Sequence, residues 1–138
     1  MQPLPRRPPL PTEIIIPGPP VPKGRPRMTR SGHVYTDAKT IAYERAGAQE
    51  AMVAGLVLRS GKVGYTLECT FYISARYWRT DLDNLVKICG DFLGLYGKPY
   101  GWHDGQIVAI RNTRKLLVPK GEERTVVVIR EALGFEEE

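Results

Sequence analysis

TLECTFYISARYWRTDLDNLVKICGDFLGLY, residues 66–96, decides how the rest of the chain is read. Its first eight residues alternate. Leu67, Cys69, Phe71 and Ile73 point one way; Thr66, Glu68, Thr70 and Tyr72 point the other, the two-residue period of a strand with one buried face. From Asn84 to about Tyr96 the period lengthens. Leu85, Ile88, Cys89 and Phe92 recur at helical spacing and form an apolar stripe. Between strand and helix lies RTDLDN, with Arg79 ahead of Asp81 and Asp83.

Working toward the N-terminus, Arg59 to Gly64 holds two glycines and ends a helix predicted from Ala38 to about Leu56. Asp37 is placed to cap that helix, and Ile41, Ala48, Met52 and Leu56 recur near one face. We read it as scaffold. PGPPVPKGRPRMTR, residues 17–30, carries five prolines and cannot be regular structure. It holds Lys23, Arg25, Arg27 and Arg30 and no acid, which favours a basic arm along a phosphate backbone over a solvated charged loop. Met28 to Tyr35 reads as a small hairpin around Ser31-Gly32, and Thr12 to Ile16 as a strand. Residues 1–11 read as a proline-rich flexible leader without the apolar core of a signal peptide.

Toward the C-terminus, a glycine-rich loop runs from Gly94 to Gly105. Gln106 to Leu117 and Arg124 to Arg130 then read as two strands joined at Pro119 to Gly121. The expectation is one domain over residues 12–132 and an acidic tail over 133–138. Its class is α+β (α/β-like) with a single sheet, in the order β, hairpin, α, β, α, β, β. The open sheet edges offer a surface for a dimer.

With 138 residues the chain can bury a core without staples. Cys69 and Cys89 have no metal-ligand spacing and read as reduced core thiols of a cytoplasmic protein. No apolar run nears the roughly 18 residues that span a bilayer. Net charge is +5, and Glu136, Glu137 and Glu138 at the C-terminus hide part of a stronger basic bias. That balance suits a polyanionic partner.

The acids are unevenly placed. Between Cys69 and Gly121 the only carboxylates are Asp81, Asp83, Asp91 and Asp104, four of the chain's five aspartates. Hard cations such as Mg²⁺ take oxygen ligands, and aspartate holds them close to the backbone. In extended backbone, Asp81 and Asp83 point the same way and reach one cation. Equally, Asp83 or Asn84 is placed to cap the following helix, and Asp83–Lys87 is a plain i,i+4 pair. Asp104 lies in GWHDGQ, residues 101–106, where Asp-Gly is also a strong turn signal. A phosphodiesterase needs this combination: carboxylates to hold a cation that activates water, and a lysine such as Lys87 to offset charge on the phosphoryl oxygens.

The ordered set Asp81-Leu-Asp83-Asn84-Leu-x-Lys87, then Asp91, then Trp102-x-Asp104-x-Gln106, resembles the RusA family of Holliday-junction resolvases. That resemblance also takes in the PGPPVPKGRPR start and the strand order, and so most of the chain. It implies a small homodimeric, structure-selective endodeoxyribonuclease of recombination and repair, often encoded by phages and prophages. It further implies Mg²⁺, with Mn²⁺ as an alternative, held by Asp81, Asp83 and Asp104, and Lys87 as catalytic lysine. Family members often carry two adjacent acids before the glutamine element; here the first is His103, to which no role is carried over. Asn84 and Asp91 are supporting residues, Asp91 by a salt bridge that orients Lys87. Lys23, Arg25, Arg27, Arg76, Arg79, Arg111, Arg114 and Lys115 are expected to hold four-way-junction DNA by its phosphates. A C2 dimer matches the approximate two-fold symmetry of that substrate. Three rivals stand beside this reading, the first within the same class. One is a broader flap or fork nuclease, another a non-catalytic basic DNA-binding module. The third is a hydrolase of a small phosphorylated substrate, for which the chain lacks a phosphate-cradling glycine loop.

Overall fold

The computed structural model describes residues 10–24 and 27–132. Most of the leader, the acidic tail and Arg25 lie outside the described residues. The strands are β1 (Thr12–Pro17), β2 (Arg27–Met28), β3 (Val34–Tyr35), β4 (Tyr65–Ile73), β5 (Ile107–Ile110), β6 (Arg114–Leu117) and β7 (Arg124–Glu131). Two helices, α1 (Ala38–Val53) and α2 (Leu82–Gly97), complete the α+β domain.

β4 is the centre of the sheet. It pairs antiparallel with β7, which pairs antiparallel with β1; on its other side it runs parallel to β5 and then β6. Its alternation is realised as written: Leu67, Cys69, Phe71 and Ile73 are buried and the residues between them half-buried. The buried faces of β1 (Ile14, Ile16) and β7 (Val127, Ile129) continue this surface, and Leu85, Ile88, Cys89 and Phe92 of α2 join the same cluster. Burying each of the larger side chains contributes about 1.5–3 kcal/mol, which ties the two layers together. The C-terminal strand expected from Gln106 to Leu117 is broken. Residues 111–113 leave the ladder at Asn112, whose φ is 50°, and its amide donates to Glu68 Oε1 at 2.8 Å. Thr113 Oγ1 there accepts the Cys69 N–H, so the gap leaves no orphan donor on the central strand.

Helix α1 corrects the sequence reading. The buried residues are Thr40, Tyr43, Gly47 and Ala51. The face expected to be apolar is turned out: Met52 is 63% exposed, Ile41 36%, and Ala48 only half-buried. Leu56 is buried, but beyond the end of the helix. The reason is the fit of two partners. The Tyr43 hydroxyl hydrogen-bonds Thr125 Oγ1 on β7 inside the core. At Gly47 a Cβ would stand 2.4 Å from Phe92 Cγ, so the missing side chain is what lets α1 and α2 approach. Asp37 stands at the start of α1 without a side-chain capping bond.

The arm before α1 is pinned at several points. Gly18 N–H donates to Glu123 O at 3.1 Å, Lys23 N–H to Asn84 O at 2.9 Å and Gly24 N–H to Thr40 Oγ1 at 3.3 Å. β2 and β3 then form the expected hairpin, with Gly32 at φ 89° in its turn. Cys69 and Cys89 are free and buried; burial, and then the contact with Cys69, push the Cys89 thiol up and suppress its thiolate. No helix among the described residues is long and apolar enough to cross a membrane.

Candidate active site

The site is built where β4 hands over to α2. After Ile73 the chain makes a short 3₁₀ turn at Ala75–Tyr77 and reaches Asp81. Asp81, rather than Asp83 or Asn84, is the N-cap of α2: its Oδ1 accepts the Asp83 N–H at 2.9 Å. The helix therefore starts two residues earlier than the periodicity suggested, and Asp83 falls in its first turn, where the helix dipole favours a carboxylate. One Asp81 oxygen is engaged in the cap, and both aspartates are exposed to solvent. Lys87 lies one turn on, also exposed, opposite the stripe that enters the core.

Asp104 reaches the same helix from the turn that precedes β5. It opens a 3₁₀ turn at Asp104–Gln106 held by two neighbours. His103 Nδ1 accepts the Gly105 N–H at 3.1 Å, which gives His103 a structural role that the sequence left blank. Gln106 is buried, and its amide donates to Arg59 O at 2.9 Å and Val63 O at 3.0 Å. Trp102, packed edge-on to Tyr65, anchors the loop ahead of it. So held, Asp104 lies beside Gly90 of α2: a Cβ added there would be 3.8 Å from both Asp104 Cβ and Oδ2. Lys23, Lys87, Asp91 and Asp104 line one shallow cavity of about 360 Å³.

Asp91 departs from its expected role. It pairs with Lys23 at 2.8 Å, and Lys23 Nζ also donates to Glu44 at 3.0 Å. The Asp91 carboxylate first, with help from Glu44, holds the Lys23 ammonium above its ordinary pKa despite partial desolvation. Lys87 has no ion-pair partner among the described residues, so its charge is left facing solvent. Lys23 thus ties the basic arm to both helices at the rim of the site. Sequence reading missed Glu44 as its second anchor, since nothing local marks a glutamate on α1 as the partner of a lysine in a loop.

The expected basic residues divide. Lys23 and Lys115 are spent on internal contacts, Lys115 on Trp78 O and Thr80 O. Arg27, Arg76, Arg79, Arg111 and Arg114 are exposed, with the Arg76 guanidinium 5.3 Å from the centre of the Tyr77 ring. Arg25 lies outside the described residues.

The family model described as Endodeoxyribonuclease RusA matches residues 17–130. The chain belongs to the RusA endodeoxyribonuclease family. No curated protein matches it. RusA membership accounts for a nuclease acting at Holliday junctions at the level of the family, and RusA nucleases are generally dependent on a divalent metal. In this RusA-family chain the donors suit such an ion in kind, being oxygen-only and short. Among the described residues, however, no three His, Cys, Asp or Glu side chains are gathered to hold one. Asp83 and Gly90 are seven residues apart, roughly 10 Å along a helix, so Asp104 stands away from the Asp81–Asp83 pair. Asp81 has extended backbone and Asp83 lies in the first turn of α2, so the shared direction expected of two residues on one extended segment does not relate them.

Proposed function

We propose that this chain nicks four-way DNA junctions in matched pairs, as a homodimer, using Mg²⁺ or Mn²⁺. The observation that carries the reading is the exposed Asp81–Asp83–Lys87 face at the start of α2, inside a chain that the RusA family model matches over residues 17–130. Asp81 and Asp83 would hold the ion, with Asp104 as the third carboxylate of the reading. A divalent cation, when bound, would activate water for attack and offset charge on the phosphate.

The remaining work falls to side chains. Lys87, unpaired and one turn from Asp83, is placed to hold the scissile phosphate and offset charge as it builds on the phosphoryl oxygens. The exposed arginines at 27, 76, 79, 111 and 114 hold the DNA arms by phosphate contacts that read shape more than sequence. Two copies of the site, related by two-fold symmetry, answer the two strands to be cut.

The test is a labelled synthetic four-way junction beside a matched linear duplex and a forked duplex, with and without Mg²⁺, for the wild type and Asp83→Asn. The expected outcome is Mg²⁺-dependent, symmetric nicking of the junction, lost in the variant while junction binding persists. Equal cutting of the fork would make the enzyme a broader branch nuclease. Binding without cutting in either metal would leave a DNA-binding module.

A further inference from the structure

Lys115 was expected to meet a DNA phosphate. We propose instead that it is a positioning residue, fixing the loop that carries Asp81 and so setting the nicking rate; this rests on the nuclease reading above. Three observations converge on it. Lys115 Nζ donates to Trp78 O at 2.7 Å and to Thr80 O at 3.0 Å. The same ammonium lies 4.9 Å from the centre of the Trp78 ring, within reach of a cation–π attraction. Thr80 is the residue immediately before Asp81.

The fold explains why a lysine on β6 does this. β6 runs parallel to β4, with Lys115 opposite Phe71, two residues from the end of the strand that launches the loop. The loop itself is short of internal support. Its own bonds are those of one tight turn: Tyr77 N–H to Ser74 O at 3.0 Å, Trp78 N–H to Ala75 O at 3.3 Å, and Thr80 N–H and Oγ1 to Tyr77 O at 3.0 and 2.7 Å. These bonds engage the carbonyls of Ser74, Ala75 and Tyr77. Lys115 serves the next part of the segment, Trp78 and Thr80, from a neighbouring strand. An ammonium has three protons, and two of them are committed here to backbone carbonyls. One proton is left, so Lys115 can swing out toward a phosphate only by giving up these bonds and releasing the backbone that ends in the N-cap of α2. Because small displacements of a reacting group are costly in rate, a loosened loop slows cutting more than it weakens DNA binding.

Lys115→Met and Lys115→Arg, compared with wild type, test this. Nicking is read at saturating four-way junction, junction affinity is read across a salt series, and acrylamide quenching reads the indoles. Trp78 is the accessible indole of the pair, Trp102 being buried. The methionine variant is expected to cut on the order of tenfold to a hundredfold more slowly, with affinity and salt slope unchanged and Trp78 more readily quenched. The arginine variant, which keeps donors and charge, is expected to recover most of the rate. A salt slope reduced by about one in the methionine variant, with its rate at saturation intact, would make Lys115 a phosphate contact and overturn the proposal. So would unchanged quenching of Trp78, a readout that holds its meaning even if the wild type cuts no DNA.

Discussion

Helices α1 and α2 have the same length and lie against one another in the same core, yet they do opposite work. α1 turns a face of mixed chemistry inward, Thr40, Tyr43, Gly47 and Ala51, and leaves Met52 and Val53 in solvent. α2 buries a clean apolar stripe and presents Asp83 and Lys87 outward. One helix is fixed by its inner face and carries no candidate catalytic group. The other keeps Asp83 and Lys87 in solvent at its N-terminal half, where they are free to be chosen for chemistry. Stability and activity should therefore separate between them: inner-face changes on α1 should unfold the protein, and outer-face changes on α2 should disarm it.

The largest expected effect is on the inner face of α1. Gly47→Leu would drive a side chain into the Phe92 ring, and should cost about 3 kcal/mol or more in urea denaturation. Adding Phe92→Leu should recover part of that loss; no recovery would mean the two helices are not in contact there. Next is the outer face of α2. Lys87→Met should slow junction nicking about a hundredfold while its unfolding free energy stays within about 0.5 kcal/mol of wild type. A variant that melts early would erase the contrast drawn here.

Smaller effects sharpen the comparison. Tyr43→Phe leaves buried Thr125 with an unpaired hydroxyl and should cost about 1–2 kcal/mol at neutral pH. Burial raises the Tyr43 pKa above its ordinary 10.0, so folding favours the neutral phenol. Its contribution is whole below the unfolded-state pKa and declines as pH rises past it, because only the unfolded chain then ionises there. The fall in stability of the wild type above pH 10 should be shallower in Tyr43→Phe; parallel curves would move the burden to another tyrosine. Smallest of all, Met52→Lys should change stability by no more than about 0.5 kcal/mol, where a core methionine would cost several-fold more.

The same contrast explains what could be read from residues alone. β4 and α2 were legible because their periods are carried by strongly apolar side chains against polar neighbours. α1 was not, because its alanines and Gly47 give its faces little contrast, and its inner face is chosen by Thr125 and Phe92, far away in sequence. In the site, Asp81, Asp83 and Lys87 are a local pattern and were found together. Their surroundings are not local. Lys23 meets Asp91 and Glu44, Lys115 meets the 78–80 loop, and Gln106 meets residues 59 and 63. Charge told that these side chains were basic or polar; only the packed chain tells which of them face inward. The break at Asn112 belongs to the same class, since its partner Glu68 lies on another strand.

The position of β7 has a consequence for how the chain is made. It is the last strand among the described residues, yet it sits between β1 and β4, pairing Thr12 with Ile129 on one side and Tyr65 with Glu131 on the other. On a translating ribosome, β1 and β4 emerge long before the strand that joins them and must wait with that edge bare. The hydrophobic layer closes only when residues 124–131 clear the exit tunnel, and a chain truncated before residue 124 keeps β4, β5 and β6 but has no strand to join β1 to them.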